Sequence, residues 1–329
     1  MVLQPIPRIS DIEAAAGRIS GLAVRTPLIE SPVLNELTGG RILLKAECLQ
    51  RTGSFKFRGA WNKISQLDPL RHKGGVVAYS SGNHAQGVAA AAQIRGLPAV
   101  IVMPQDTPLI KQNNTRSYGA EVVLYDRARQ SREDIAANLA DERGAILVPP
   151  FEDTDIIAGQ GTSGLEIAEQ SEELGAEPDA ILVSASGGGL AAGIALAAEA
   201  RLPRSAVYSV EPEGFDDYAR SLATGHRQSN SRLSGNLCDA LMSREPGETT
   251  FEINRTRLRS GLVVSEAEVK RAMRFGFETL KLVIEPGGSV ALAAVLSGKI
   301  ETRGRTIVAV ISGGNVDSEV FARVLREAA

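Results

Sequence analysis

Short apolar segments alternate with longer amphipathic or alanine-rich segments along most of this chain, and the alternation predicts strands and helices in turn. The predicted strands are residues 41–47, 76–79, 99–103, 122–125, 145–148, 180–184, 206–210 and 306–311. The predicted helices are residues 11–18, 85–95, 109–118, 131–142, 162–170, 190–200, 216–223, 266–280, 288–296 and 318–327. Strands separated by helices, without hairpin turns, are typical of parallel sheets covered on both faces, so we expect an α/β fold.

Two local features refine this pattern. Turn-forming residues cluster within residues 227–259 and predict an irregular excursion around a short helix, typical of a surface loop or the rim of a site. Near the chain start, Ser10 and Glu13 have the spacing of a capping box, so we expect the first helix to begin there.

Composition narrows the classes of function. The chain has 329 residues, of which 43% are hydrophobic, enough for a large core divided between two domains. Its 36 basic and 39 acidic residues give a formal charge of -3, so nothing attracts it to nucleic acid or to an anionic membrane, and we expect small-molecule partners. Cys48 and Cys238 are far apart and form no CxxC motif, which indicates a reducing compartment. No apolar run approaches the roughly 20 residues of a membrane span, and no signal-peptide pattern opens the chain, so we expect a cytoplasmic protein.

A lysine between two aromatic residues is the first candidate for chemistry. Lys56 stands between Phe55 and Phe57 in a segment that runs from Thr52 to Ala60. Apolar surroundings disfavour the charged amine, as a Schiff-base lysine requires. The same pattern fits a lysine whose aliphatic stem covers apolar surface, so this segment leaves both interpretations open.

Three glycine-rich turns each follow a predicted strand, and two of them lead directly into predicted helices. Residues 80–84 expose amide groups at a helix N-terminus and could bind a carboxylate, or could simply cap the helix. Residues 186–189 contain three consecutive glycines, which favour a phosphate-binding loop over a merely flexible turn, although they match neither a dinucleotide fingerprint nor a P-loop. Residues 312–315 place a serine hydroxyl at a strand end, where an ordinary turn is equally possible.

A lysine, a phosphate loop, a carboxylate-binding turn and a hydroxyl together suit pyridoxal phosphate and an amino-acid substrate. In chain order, the motifs are Gly53-Ser54-Phe55-Lys56, Ser81-Gly82-Asn83-His84, Ala158-Gly159-Gln160-Gly161-Thr162, Ser186-Gly187-Gly188-Gly189 and Ser312-Gly313-Gly314-Asn315. With these motifs the chain resembles the fold type II pyridoxal-phosphate enzymes, specifically the serine/threonine dehydratase and serine racemase family. The resemblance implies a tryptophan-synthase-β-like fold with two domains, each containing a mostly parallel open sheet covered by helices. Residues 1–48 plus 147–329 would form the large cofactor-binding domain, and residues 49–146 the small domain.

The resemblance also implies roles for individual residues. Lys56 would be the Schiff-base lysine and would remove the α-proton of the substrate, and Ser81 would be a second catalytic acid or base on the opposite face. The cofactor would be bound by Phe55, Lys56, Asn83, Ser186, Gly187, Gly188, Gly189, Leu190 and Ser312. The substrate would be bound by Ser80, Ser81, Asn83, His84, Arg132 and Ser243.

A cation site is implied at Glu211, Phe215 and Asp217, where racemase-like members bind Mg²⁺ or Ca²⁺; oxygen ligands suit a hard cation, and an exposed acidic turn is the alternative. Two positions depart from the family pattern. Ser186 and Ala240 stand where glycines are usual.

The resemblance leads us to expect a homodimeric dehydratase that converts L-threonine or L-serine to a 2-oxo acid and ammonia. A neutral serine at the pyridine nitrogen suits elimination of a β-substituent. Alternatives are a serine or aspartate-type racemase, since Ser81 permits racemisation, and a 3-hydroxyaspartate dehydratase, since Arg132 could hold a β-carboxylate or could be a solvated helix arginine. A non-catalytic cofactor carrier or amino-acid sensor is the alternative outside enzymes.

Overall fold

The structure is a computed structural model that describes residues 4–80, 82–107, 109–126 and 129–327. The larger of two β-sheets formed by these residues has the strand order β1-β2-β10-β7-β8-β9. Its strands are β1 (Leu28–Glu30), β2 (Arg41–Lys45), β7 (Ala180–Ser184), β8 (Ala206–Pro212), β9 (Leu258–Val264) and β10 (Thr306–Val310). In this sheet β1 pairs antiparallel with β2, and the other neighbouring strands are parallel. Every residue of β7 is buried, as expected of a central strand covered on both faces.

The smaller sheet is parallel and has the strand order β5-β4-β3-β6. Its strands are β3 (Val76–Tyr79), β4 (Ala99–Pro104), β5 (Glu121–Tyr125) and β6 (Ile146–Leu147). The two sheets divide the chain much as the predicted domains do. The domain boundaries themselves stay a prediction.

Helices connect and cover the strands of both sheets. They are α1 (Ile9–Ile19), α2 (Pro32–Thr38), α3 (Lys56–Ile64), α4 (Asn83–Arg95), α5 (Leu109–Ser117), α6 (Arg132–Arg143), α7 (Thr154–Glu173), α8 (Gly189–Arg201), α9 (Asp217–Thr224), α10 (Glu248–Arg257), α11 (Glu266–Glu278), α12 (Val290–Leu296) and α13 (Ser318–Glu327). Of the helices in the described ranges, none has the length and apolar character needed to cross a membrane.

The predicted α/β class is confirmed, and the structure corrects several elements. The short elements β1 and α2 and the helix α3 were not predicted, and the strand β9 begins within the stretch predicted to be irregular. The predicted capping box at the chain start is wrong. The helix begins one residue before Ser10, and Asp11 accepts the Arg8 backbone N–H at 2.7 Å.

The helix α7 begins eight residues before its predicted start at residue 162, because Asp153 caps it by accepting the Ile156 N–H at 3.0 Å. Glycines in its first half misled the prediction, since glycine usually weakens a helix. Here glycine permits close packing between helices. A Cβ on Gly159 would lie 2.5 Å from the Cα of Gly59 in α3.

A buried cluster of charges joins β2, α3 and α7. The guanidinium of Arg58 is fully buried and pairs with Glu47 at 2.8 Å and with Glu166 at 2.7 Å. Lys45 pairs with the same Glu166 at 2.6 Å and donates to the Thr26 carbonyl at 2.8 Å. Burial alone would raise the pKa of Glu47, but the charge and hydrogen bonds of Arg58 hold that pKa below its ordinary value. The cluster fixes the position of α3, whose first residue is Lys56.

We expect Arg58→Met to lower the free energy of unfolding by about 3–5 kcal/mol, because it leaves the fully buried carboxylate of Glu47 without its paired cation and removes one of the two cations that pair with Glu166. Urea denaturation measures the loss. Arg204→Ala is the control, since it breaks an ion pair whose side chains are 79% and 78% exposed, and it should cost no more than ~1 kcal/mol. Equal losses for the two variants would contradict the importance of the buried cluster.

Candidate functional site

A cavity of about 160 Å³ lies at the carboxyl ends of strands from both sheets, and most of the predicted cofactor and substrate residues line it. The predicted residues that line it are Phe55, Lys56, Ser80, Asn83, His84, Arg132, Ser186, Gly187, Gly188, Gly189, Leu190, Ser243 and Ser312. Ala240, which stands where the family usually has glycine, also lines this cavity. Ser81 lies outside the described residues. The structure therefore brings the other predicted cofactor and substrate residues together, while their individual roles stay predictions.

Lys56 presents its amine to this cavity from the start of α3. Its Nζ donates to the Pro150 carbonyl at 2.7 Å and lies 5.1 Å from the centre of the Phe55 ring. Burial lowers the pKa of Lys56 to about 8. The Phe55 N–H donates to the Ser312 carbonyl at 3.1 Å, so the lysine segment and the third glycine-rich turn are directly joined. These contacts favour a reactive amine over a lysine that merely covers surface.

The glycine loop after β7 has no space for side chains. Gly188 has a φ of +93°, and a Cβ on it would lie 1.8 Å from the Tyr218 hydroxyl oxygen. Two residues of α10 hold the loop carbonyls: Thr250 Oγ1 donates to Gly187 at 2.5 Å, and Asn254 Nδ2 donates to Gly188 at 3.2 Å. The loop leads into α8, whose first N–H groups lack intrahelical partners. This geometry suits an anion such as a phosphate group.

Two serine pairs complete this side of the cavity. The hydroxyl of Ser186, the unusual residue of the glycine loop, lies 2.6 Å from that of Ser243, so the departure from the family pattern is accommodated by a hydrogen bond. At the ends of β7 and β10, Ser184 donates to Ser312 Oγ at 3.0 Å. Because that oxygen accepts from Ser184, the hydroxyl proton of Ser312 remains available for an acceptor in the cavity.

The turn at residues 80–84 leads into α4 through Asn83 and His84. Asn83 Nδ2 donates to Glu285 at 2.6 Å, and Asn83 Oδ1 accepts from Asn315 at 2.8 Å. The His84 ring lies 2.9 Å from the Val148 carbonyl through Nε2, and burial lowers its pKa to about 3. A neutral imidazole anchored to the backbone is a structural feature of the turn rather than an acid catalyst.

Charged side chains also line the cavity, among them Lys111, Arg132 and Asp239. The Arg132 guanidinium lies 5.3 Å over the Tyr79 ring, and its Nε donates to Glu133 at 2.8 Å. Lys111 from α5 pairs with Asp239. Arg132 is thus part of the cavity wall, although its side chain is 41% exposed.

Sequence reasoning missed several residues that line this cavity. They are Tyr79, Lys111, Pro150, Phe151, Ser184, Asp239, Leu241, Met242, Glu285 and Gly287. The sequence offered a clue to two of them. Tyr79 ends a predicted strand before a glycine-rich turn, and Glu285 is a single acidic residue in an apolar segment before Pro286 and two glycines. Nothing in the sequence indicated that Lys111 lines a cavity, because a lysine in a polar helix is ordinarily solvated.

The predicted cation ligands lie outside this cavity. Glu211 and Asp217 are fully buried, so the alternative of an exposed acidic turn is wrong. Glu211 accepts the Tyr218 N–H at 2.8 Å, while Asp217 accepts from Asn230 at 2.6 Å and, within the described residues, its Oδ2 has no hydrogen-bond partner. Burial raises the pKa of Asp217 to about 7 and, with the Asp217 charge, raises that of Glu211. Two buried carboxylates with an unpaired oxygen fit a hard cation.

Comparison with known proteins gives a consistent result. A family model described as "Pyridoxal-phosphate dependent enzyme" matches residues 19–313. The chain is 43% identical over 316 residues to the L-threo-3-hydroxyaspartate ammonia-lyase of a Pseudomonas species, a match that covers 96% of this chain and 98% of that protein. It is similar to the solved structure of a T.th. threonine deaminase, with a TM-score of 0.89 and 45% identity over 94% of this chain and 99% of the other. Maize serine racemase gives a TM-score of 0.91 and 36% identity over 98% of each chain.

We expect Gly188→Ala to destabilise the protein for two reasons, the backbone strain of an alanine at positive φ and the steric overlap of its Cβ with Tyr218. A positive φ costs an alanine about 1–2 kcal/mol, and the contact with buried Tyr218 should add at least ~1 kcal/mol. Gly235→Ala is the matched control, because its φ is +87° and a Cβ there would meet nothing within 4 Å in the described part of the chain. The free energy of unfolding in urea measures both variants, and equal losses would contradict the tight packing behind the loop.

Proposed function

The chain belongs to the family of pyridoxal-phosphate dependent enzymes, and on that basis we propose that it is an ammonia-lyase for small β-hydroxy amino acids. It would convert its substrate to a 2-oxo acid and ammonia, with L-threonine and L-serine as the leading candidates. The observation that carries the proposal is the cavity that unites Lys56, the glycine loop, Ser312 and the turn at residues 80–84.

The residues present fit pyridoxal phosphate. The glycine loop lines the cavity and offers the N–H groups at the start of α8 for the phosphate, Ser312 offers a hydroxyl proton for the pyridine nitrogen, and Lys56 offers an amine for the aldehyde. When bound, the cofactor supplies an electron-withdrawing ring that acidifies the α-proton of an attached amino acid.

Lys56 is the proposed base. Its lowered pKa, about 8, leaves part of the amine neutral near physiological pH, so Nζ can accept the α-proton of the substrate. The start of α4, whose first residues are Asn83 and His84, would bind the substrate carboxylate at its unpaired N–H groups, with Ser80 from the preceding turn. Ser81 remains the proposed acid or base on the opposite face, and Ser243, bonded to Ser186, would border the substrate.

L-threo-3-hydroxyaspartate is a second candidate substrate, favoured by a specific observation. Arg132 and Lys111 both line the cavity, and the planar guanidinium of Arg132 suits a second carboxylate. The Pseudomonas relative is named for this substrate. Both cations already pair with a carboxylate, Lys111 with Asp239 and Arg132 with Glu133. Arg132 is the better suited of the two, because its bond to Glu133 uses Nε and leaves the two terminal nitrogens of the guanidinium as donors for the substrate.

A substrate panel tests the proposal directly. With the holoenzyme we expect 2-oxo acid formation from at least one of L-threonine, L-serine and L-threo-3-hydroxyaspartate, and slower formation of D-serine from L-serine. Lys56→Ala should lose turnover and the visible absorbance of the bound cofactor together, whereas the exposed control Lys73→Ala should retain both. D-serine formation that outran pyruvate would favour a racemase, and a stable absorbance without any product would favour a non-catalytic carrier.

We also propose that Glu211, Asp217 and the Phe215 carbonyl bind Mg²⁺ or Ca²⁺. A cation at 100 times its dissociation constant should stabilise the fold by about 2.7 kcal/mol, because only the folded state would hold the two carboxylates together. Thermal unfolding with and without each ion measures this gain. Asp217→Asn should abolish the gain, and Asp141→Asn, on the exposed face of α6, should preserve it. An equal response of both variants would argue against the site.

We also propose that the protein is a homodimer and that it is located in the cytoplasm. The family resemblance supports the dimer, and the two buried free cysteines, Cys48 and Cys238, suit a reducing compartment.

A further inference from the structure

We propose that Glu285 is a positioning residue that fixes the side-chain amide of Asn83 toward the phenolic oxygen of the cofactor. This inference rests on the proposed function and on the family resemblance, which implies that Asn83, one of the expected cofactor-binding residues, hydrogen-bonds that oxygen. Glu285 lines the cavity, is almost fully buried and accepts the Asn83 Nδ2–H at 2.6 Å.

The two ends of the Asn83 amide have different partners. Its Oδ1 accepts from Asn315 Nδ2 at 2.8 Å, and Asn315 itself is held by a second donation to the Thr52 carbonyl at 2.7 Å. Its Nδ2 donates one hydrogen to Glu285. A flipped amide would place its Nδ2 donor against the Nδ2 donor of Asn315, whose own orientation the Thr52 carbonyl fixes, so this contact excludes the flip. With the amide in this orientation, Glu285 is the acceptor for one Nδ2 hydrogen. The second Nδ2 hydrogen is then the one remaining for the cofactor.

Gly313 provides an independent sign that Glu285 occupies a required position. A Cβ on Gly313 would lie 2.1 Å from Glu285 Oε1 and 3.2 Å from Asn83 Nδ2. The Glu285 N–H also donates to the Gly313 carbonyl at 3.1 Å. The first glycine after Ser312 therefore makes room for this carboxyl group, which links the third glycine-rich turn to the first.

The charge state of Glu285 suits this position. Burial, and then the nearby Asp239 charge, raises the pKa of Glu285 to about 8, so the carboxyl group is largely neutral at neutral pH. A neutral acid still accepts from Asn83 and adds no negative charge beside a phenolic oxygen that the amide is meant to stabilise. A glutamine should therefore replace it, because glutamine keeps the acceptor oxygen and the shape.

The visible spectrum of the holoenzyme tests the inference. The bound cofactor has two tautomers, with the proton on the phenolic oxygen or on the lysine nitrogen, and a donor to the oxygen favours the second. We expect Glu285→Ala to lower the ratio of the second tautomer to the first by about tenfold, the effect of one lost hydrogen bond. Glu285→Gln should stay close to the wild type.

A mutant cycle identifies the route of the effect. Asn83→Ala should lower the tautomer ratio at least as much as Glu285→Ala, and the double variant should lower it no further than Asn83→Ala alone. The inference is overturned if Glu285→Ala leaves the ratio unchanged, if Glu285→Gln behaves like Glu285→Ala, or if the two losses add in full. The midpoint of thermal unfolding, measured for each variant, identifies any general loss of structure. If Glu285→Ala fails to fold, the tautomer ratio of Glu285→Gln still tests the inference. A wild-type holoenzyme that forms no 2-oxo acid would refute the proposed function, while the tautomer ratio would still decide the role of Glu285.

Discussion

Arg58 is a guanidinium withdrawn completely from water, and its N–H donors must therefore find acceptors inside the protein. Glu47 follows β2 and Glu166 lies on α7, so these acceptors come from separate parts of the chain. Buried ion pairs often contribute little net stability relative to apolar packing, but they penalise every arrangement that separates them. The cluster is thus better understood as a constraint on position. It determines where α3 lies, and with it where the Lys56 amine emerges.

A few long-range hydrogen bonds then bring the remaining chemistry to that amine. The Phe55 N–H reaches the Ser312 carbonyl, Ser184 reaches the Ser312 hydroxyl, and Asn315 reaches Asn83. Each bond joins segments that are far apart in sequence. The cavity is therefore held by its own polar groups as well as by the sheets beneath it, and the groups that face it are already oriented.

The sequence predicted the parallel sheets and most of the cavity because both leave local signals. Apolar runs identify β7 and β10, and glycine clusters at strand ends identify two of the turns. The sequence could not reveal interactions that depend on the fold. Lys111 meets Asp239 only because two distant segments approach one another, and the burial of Glu211 and Asp217 depends on β8 and α9 packing inward. The missed start of α7 has the same origin, since its glycines are explained by neighbours in space.

The glycines of α7 belong to a motif that identifies the family but takes no direct part in the cavity that the described residues form. Residues 158–162 help to identify the family, yet they lie within α7 and none of them lines the cavity among the described residues. Gly159 meets the backbone of α3, and a Cβ on Gly193 of α8 would lie 2.5 Å from the Gly161 nitrogen. The motif records how three helix backbones come into contact. It is therefore a marker of ancestry and architecture, and a relative with a different chemistry on the same scaffold would be under the same pressure to keep it.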